Sequence, residues 1–285
     1  MLVRPANLLR KVPQGLGQTP QLSTYSALTH KLVVAQNIFR SSSIGGAPPS
    51  EDLNMNVQRY AKVAGVLLLI SILAGGFGEA YAPSKLIVAG DAATTVENLK
   101  SFEFIYRLGF ASFLIESFAD ITLALIFYVL LKPVSRELSL LAAFFGLVGT
   151  ALFAFAELFY LAPTLLMTVG SLKTYSTDQI DELMLLSLRF YQFASMIFSG
   201  YYGIAWIVRG YLMFRSGYLP KFLGVLMVIG GLGFLGRNFL MILAPGYASP
   251  VLLMLLFPGT LMLMLWLLVK GVDVPHWNAR VNAQA

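Results

Sequence analysis

Six apolar runs of about 20 residues or more recur between Arg59 and Lys270, and nothing constrains the fold of this chain more. They cover roughly 59–81, 104–131, 138–167, 185–214, 219–243 and 250–269. A helix of about 20 residues, rising about 1.5 Å per residue, crosses the roughly 30 Å of hydrocarbon in a bilayer. Open strands cannot satisfy their backbone in lipid, so each run is predicted to be a helix. The fold class expected is all-α: a polytopic membrane helix bundle with six transmembrane helices. Composition agrees, since 12% of residues are charged against roughly 25% in soluble domains.

Basic residues orient the spans. Arg59, Lys62, Lys132, Arg136, Arg209, Arg215, Lys221, Lys270 and Arg280 fall at one set of ends, and Lys85, Lys100, Arg107 and Lys173 at the other. Nine against four predicts that both termini are cytoplasmic. Thr94-Thr95-Val96-Glu97 and Ser176-Thr177-Asp178-Gln179 each fit a capping box and should start helices that run on into spans two and four. Pro258-Gly259 predicts a kink in span six. Arg107…Phe110-Ala111-Ser112 recurs as Arg189…Phe193-Ala194-Ser195, which reads either as a duplication of spans two and three in spans four and five or as chance similarity.

Residues 1–54 differ from the rest. Arg4, Arg10, Lys11, Lys31 and Arg40 occur with no acid before Glu51, among many Ser, Gln and Pro. Such a segment reads as an organelle transit peptide or as an extension upstream of a start near Met55. The division expected is this extension (1–54), a transmembrane domain (55–277) and a short tail (278–285). The membrane expected is the plasma or inner membrane of a cell, or the mitochondrial inner membrane if the extension is a transit peptide.

Seven ionisable residues lie inside the apolar runs: Glu79, Arg107, Glu116, Asp120, Glu157, Arg189 and Arg237. Each costs at least about 2.5 kcal/mol in hydrocarbon, so they should pair, line a cavity, or both. Counted from the basic ends, Asp120 lies about 18 Å deep, Glu79, Glu116 and Arg237 about 25 Å, and Glu157 and Arg189 about 30 Å. The seven are therefore expected in the outer half of the bilayer. Glu116 and Asp120, at i and i+4, share one helix face. Arg237, followed by Asn238, is the cation best placed by depth to meet them, and Arg107 is expected to meet Glu157 or Glu103.

One reading is an outward-facing pocket that binds or transports a small polar solute, formed by Glu79, Glu116, Asp120, Glu157, Arg107, Arg189, Arg237 and Asn238. A second is an accessory membrane subunit whose buried ion pairs serve assembly. A third is a membrane-embedded, lipid-modifying enzyme. A pocket requires access to the charges, whereas an assembly network requires them sealed in direct pairs. If the cluster is functional, replacing Asp120 with Leu should raise stability or barely change it.

Other chemistry finds little support. There is no Cys, and the two His, His30 and His276, lie outside the apolar runs. A thiolate or His-held metal within the membrane is therefore not expected. No nucleophile stands beside a base, so no catalytic residue and no cofactor are assigned. The bilayer is the partner expected; the basic residues form no nucleic-acid patch, and protein partners are not specified. Gly230-Gly231-Leu232-Gly233 lies in a span with no preceding strand and reads as close helix packing, as do Gly146 and Gly149. Met254, Met262 and Met264, and Tyr201, Tyr202 and Trp206, read as apolar packing, and Trp266 and Trp277 as interfacial anchors.

Several stretches also carry a family resemblance. They are Gly90-Asp91-Ala92-Ala93-Thr94-Thr95, Arg107-Leu108-Gly109-Phe110, Tyr128-Val129-Leu130-Leu131-Lys132-Pro133-Val134, Arg215-Ser216-Gly217-Tyr218-Leu219-Pro220 and Leu265-Trp266-Leu267-Leu268-Val269-Lys270-Gly271. Together, over about 57–277, the chain resembles the domain-of-unknown-function 4386 family of multi-pass prokaryotic membrane proteins. The resemblance implies six spans and no assigned activity.

Overall fold

A computed structural model describes residues 50–88, 91–168 and 174–283. Residues 1–49 of the basic N-terminal extension, and Lys173, lie outside these residues. Every regular element among them is helical: α1 (Ser50–Gly75), a π-helical segment (Gly76–Tyr81), α2 (Ala82–Leu86), α3 (Ala92–Ser101), α4 (Glu103–Leu131), α5 (Arg136–Thr168), α6 (Thr177–Ser216), α7 (Lys221–Leu243), α8 (Val251–Met254), α9 (Leu256–Val269) and α10 (Val274–Asn282). Six stretches are long and apolar enough to cross a membrane: Asn56–Leu86, Glu103–Leu131, Arg136–Met167, Thr177–Ser216, Lys221–Leu243 and Val251–Val269.

The helix ends follow local chemistry. Ser176 accepts from the Gln179 N–H while the Gln179 side chain accepts from the Ser176 N–H, a complete capping box that starts the 40-residue α6. The first expected box is corrected. Asp91, not Thr94, caps α3 by accepting from the Thr94 N–H at 3.0 Å and its hydroxyl at 2.7 Å. These bonds hold the exposed Asp91 carboxyl below its ordinary range. The chain also breaks at Phe102, so α3 does not run on into α4. In span six the break falls at Leu255. Pro258 has no N–H to give to the carbonyl four residues back, and its ring crowds that turn.

The spans pack in an order that closes on itself: α1, α4, α5, α6, α7, α9 and back to α1. Ser71 of α1 hydrogen-bonds Asp120 of α4, α4 packs on α5, α5 on α6, α6 on α7 and α7 on α9, and Gly65 of α1 lies against Leu268 of α9. Asn56, Leu131, Arg136, Ser216, Lys221 and Val269 mark one end, called here the terminal face; the other is the distal face. One apolar core fills the terminal half around Leu123, Phe127, Leu130, Trp206, Leu223, Met227 and Leu267. A second, more aromatic core lies distally around Tyr106, Phe113, Phe153, Tyr160 and Phe198.

The terminal face is covered by α10. The Trp277 indole and the Tyr218 hydroxyl both donate to the Leu130 carbonyl, at 3.3 and 2.7 Å. Gln58 donates to the Lys270 carbonyl and accepts from the Val272 N–H, at 2.9 and 3.0 Å. Trp277 is thus buried in the core rather than anchored at the interface.

Candidate functional site

The π-helical segment decides where Glu79 points. One extra residue per turn changes the register after Gly75, and such bulges concentrate at functional sites. Two glycines around it, Gly75 and Gly78, meet close neighbours. A Cβ on Gly75 would lie 2.8 Å from the Glu116 Oε1, and one on Gly78 would lie 2.9 Å from the Phe113 ring. Glu116 therefore rests in the notch that Gly75 leaves on α1.

Glu79, Glu116, Asp120 and Glu157 come together. Glu116 interacts electrostatically with Glu79, Asp120 and Glu157, and Glu79 with Asp120 and Glu157. Asp120 and Glu157 are buried, and Glu79 is exposed. Tyr191 lies within electrostatic reach of Glu79 and Glu157, and Tyr202 of Asp120 and Glu116. Ser71 donates to Asp120 at 3.4 Å. Both Glu157 carboxylate oxygens, the Glu116 Oε2 and the Tyr160 hydroxyl have no hydrogen-bond partner among the described residues.

The expected arginines are elsewhere. Arg107 is exposed and pairs with Glu103 one turn away at 2.5 Å, not with Glu157. Arg189 is exposed on α6 and lines a surface groove of about 530 Å³ with Tyr175, Gln179 and Glu182. Arg237 is half-buried, and its Nε has no hydrogen-bond partner among the described residues. Asn238 beside it donates to the Met196 carbonyl and so joins α7 to α6. Within 4 Å, no ion pair among the described residues includes Arg189, Arg237 or any of the four clustered acids.

The cation that does face the acids is Arg209, which sequence reasoning placed among the interfacial anchors. It is only 3% exposed. Its guanidinium lies 5.0 Å from the Trp206 ring and 5.4 Å from the Phe127 ring, and it interacts electrostatically with Asp120 and Tyr202. Two signals pointed to it. Tyr202, Trp206 and Arg209 fall at i, i+4 and i+7 on one face, and α6 continues for two turns past Arg209 to Ser216. Gly146 serves this residue rather than helix packing, because a Cβ there would lie 2.6 Å from the Arg209 Nη2.

Among the described residues the site therefore holds four carboxylates and one guanidinium, with no pair closed. Among the described residues no group of three or more His, Cys, Asp or Glu has the arrangement of a metal site. The arrangement can take up positive charge, as protons or as a small cation.

A family model described as Domain of unknown function (DUF4386) matches residues 63–271. The chain belongs to this family. An uncharacterized protein of Archaeoglobus fulgidus is 30% identical over 154 residues, which is 53% of this chain and 76% of that relative. No solved structure matches.

Proposed function

We propose that this chain, a multi-pass membrane protein of the DUF4386 family, binds a small cationic solute in an acidic pocket in the distal half of the bilayer. Its carboxylates exchange protons for the solute, as a transport-type protein requires. One observation carries the reading: of four clustered acids only Asp120 has a guanidinium, that of Arg209, within electrostatic reach, and among the described residues none of the four is closed in an ion pair. Four negative charges against one positive are untenable in hydrocarbon, so protons or a bound cation must supply the balance. An assembly network would instead hold its charges in direct pairs. Glu79, at the distal end of its span, lies within electrostatic reach of Asp120 and Glu157 and is where access from the distal side is proposed.

The basic residues support an orientation. Arg59, Lys62, Lys132, Arg136, Arg215, Lys221, Lys270 and Arg280 outnumber Lys85, Lys100 and Arg107 on the distal side. With Arg209 counted as a core residue, the bias still favours cytoplasmic termini in a plasma membrane. The pocket then faces away from the cytoplasm.

The test is proton release. Purified protein in detergent, weakly buffered with a pH-sensitive dye, is titrated with sodium and with methylammonium. Saturable proton release is expected with at least one, and Glu79→Gln/Glu116→Gln should weaken it by about tenfold or more, equivalent to about 1.4 kcal/mol. Release that is absent with both cations, or unchanged in the double variant, would contradict the proposal.

A further inference from the structure

We infer that Arg209 is the charge that closes the acidic pocket toward the terminal face, so that protons and cations reach Asp120 from the distal side only. The inference rests on the pocket reading above and adds the residue that sets what the pocket excludes.

The acids and Arg209 are staggered along the membrane normal. Counted along their helices, Glu157 lies about 31 Å from the terminal end of α5, Glu116 about 22 Å and Asp120 about 16 Å from that of α4, and Arg209 about 10 Å from that of α6. Arg209 is therefore the last charged group before the terminal-half core. Beyond it lie Leu130, Leu212, Met213, Leu223 and Trp277, all buried, and α10 bonded over the Leu130 carbonyl.

How Arg209 is held matters as much as where it lies. A guanidinium closed on a carboxylate presents little net field to a third ion. Arg209 has no acid within 4 Å among the described residues and is flanked by the Phe127 and Trp206 rings. In a low-dielectric surrounding its positive charge, set near Asp120 without closing a pair, opposes a cation or proton passing Asp120 toward the terminal face. Arginines so placed in membrane pathways exclude cations and protons. The glycine at 146 leaves the space that the Nη2 group occupies.

The experiment uses the full chain reconstituted in phosphatidylcholine/phosphatidylglycerol vesicles that enclose a pH dye, with a potassium diffusion potential set by valinomycin and no solute added. Wild-type vesicles should be as proton-tight as protein-free ones. Arg209→Gln should raise proton flux by about tenfold or more, and Arg209→Lys, which keeps the charge, should stay tight. Arg209→Gln/Asp120→Asn should return to the baseline, because the pathway then lacks its last proton carrier. Gly146→Val keeps the charge but displaces the guanidinium, so it should leak as well, and it carries the test by itself if Arg209→Gln does not fold. Arg209→Gln and Gly146→Val vesicles as tight as wild type would overturn the inference. So would a leak that survives Asp120→Asn, since damaged packing would then be its source. A protein that fails to release protons to cations but leaks on loss of Arg209 would sink the solute reading and leave the barrier standing.

Discussion

Replacing Gly210 with leucine is expected to lower the thermal unfolding midpoint in detergent by about 10 °C or more, or to prevent recovery of folded protein. A Cβ on Gly210 would lie 2.6 Å from the Gly224 carbonyl oxygen, and a Cβ on Gly224 would lie 2.5 Å from the Gly210 carbonyl oxygen. One turn pair further on, Gly203 and Gly231 face each other in the same way, at 2.8 and 2.6 Å. These obstacles are backbone, which cannot rotate aside. In lipid, where apolar side chains gain little by leaving the tails, such close approach is a main source of helix association. α6 and α7 carry Arg209, Tyr202 and Asn238, so the glycine contact also supports the site. Gly236→Ala is the control: nothing lies within 4 Å of its Cβ position, and its midpoint should not fall. A Gly210→Leu protein as stable as wild type, by circular dichroism on heating, would show that these two backbones do not touch.

The second large effect is a contrast between two acids. Asp120→Leu should destabilise the protein by about 1–3 kcal/mol, because it removes the acid within electrostatic reach of the buried Arg209 and the acceptor of the Ser71 hydroxyl. Glu157→Gln should cost little or be stabilising. Glu157 is 1% exposed, lies in a field of other carboxylates and has no hydrogen-bond partner on either oxygen among the described residues. The amide keeps the shape and removes a like charge. Thermal midpoints of the two variants measured side by side decide the matter. Equal losses would mean that Asp120 and Glu157 share one kind of environment, against the charge order described here. From sequence, a neutral or stabilising change was expected of a functional cluster and a large loss of a structural network; the loss expected here is moderate. The loss comes from Arg209 and Ser71, which face Asp120.

The fold was largely legible because apolar run length is a strong signal: the six stretches observed fall within about five residues of those read from sequence, and α6 begins eight residues before its apolar run at the capping box expected there. The acids were legible for a related reason. Each carboxylate stood out against an apolar run, and depth along a helix can be counted. Their cations were not. Depth gives height in the membrane but not direction around the helix axis, so Arg189 and Arg237 matched the acids in height while pointing elsewhere. Arg209 was hidden by its position near a span end, where an arginine ordinarily marks the interface. Only the continuation of α6 to Ser216 and the burial of Trp277 show that this region is core. The cap of α3 was missed because the Asp91 carboxylate takes the Thr94 N–H that the expected box would give to Glu97, and the helix so begins at Ala92.

Because the protein has no native cysteine, the convergence of the acids can be tested directly by a single Glu79→Cys substitution. Right-side-out membrane vesicles are treated with membrane-impermeant methanethiosulfonate reagents of similar size, one cationic and one anionic. A thiol set among Glu116, Asp120 and Glu157, in a pocket open away from the cytoplasm, should react about tenfold faster or more with the cationic reagent. The preference should shrink in the Glu116→Gln background. A thiol that stays unlabelled from that side, or reacts equally with both reagents, would contradict the account.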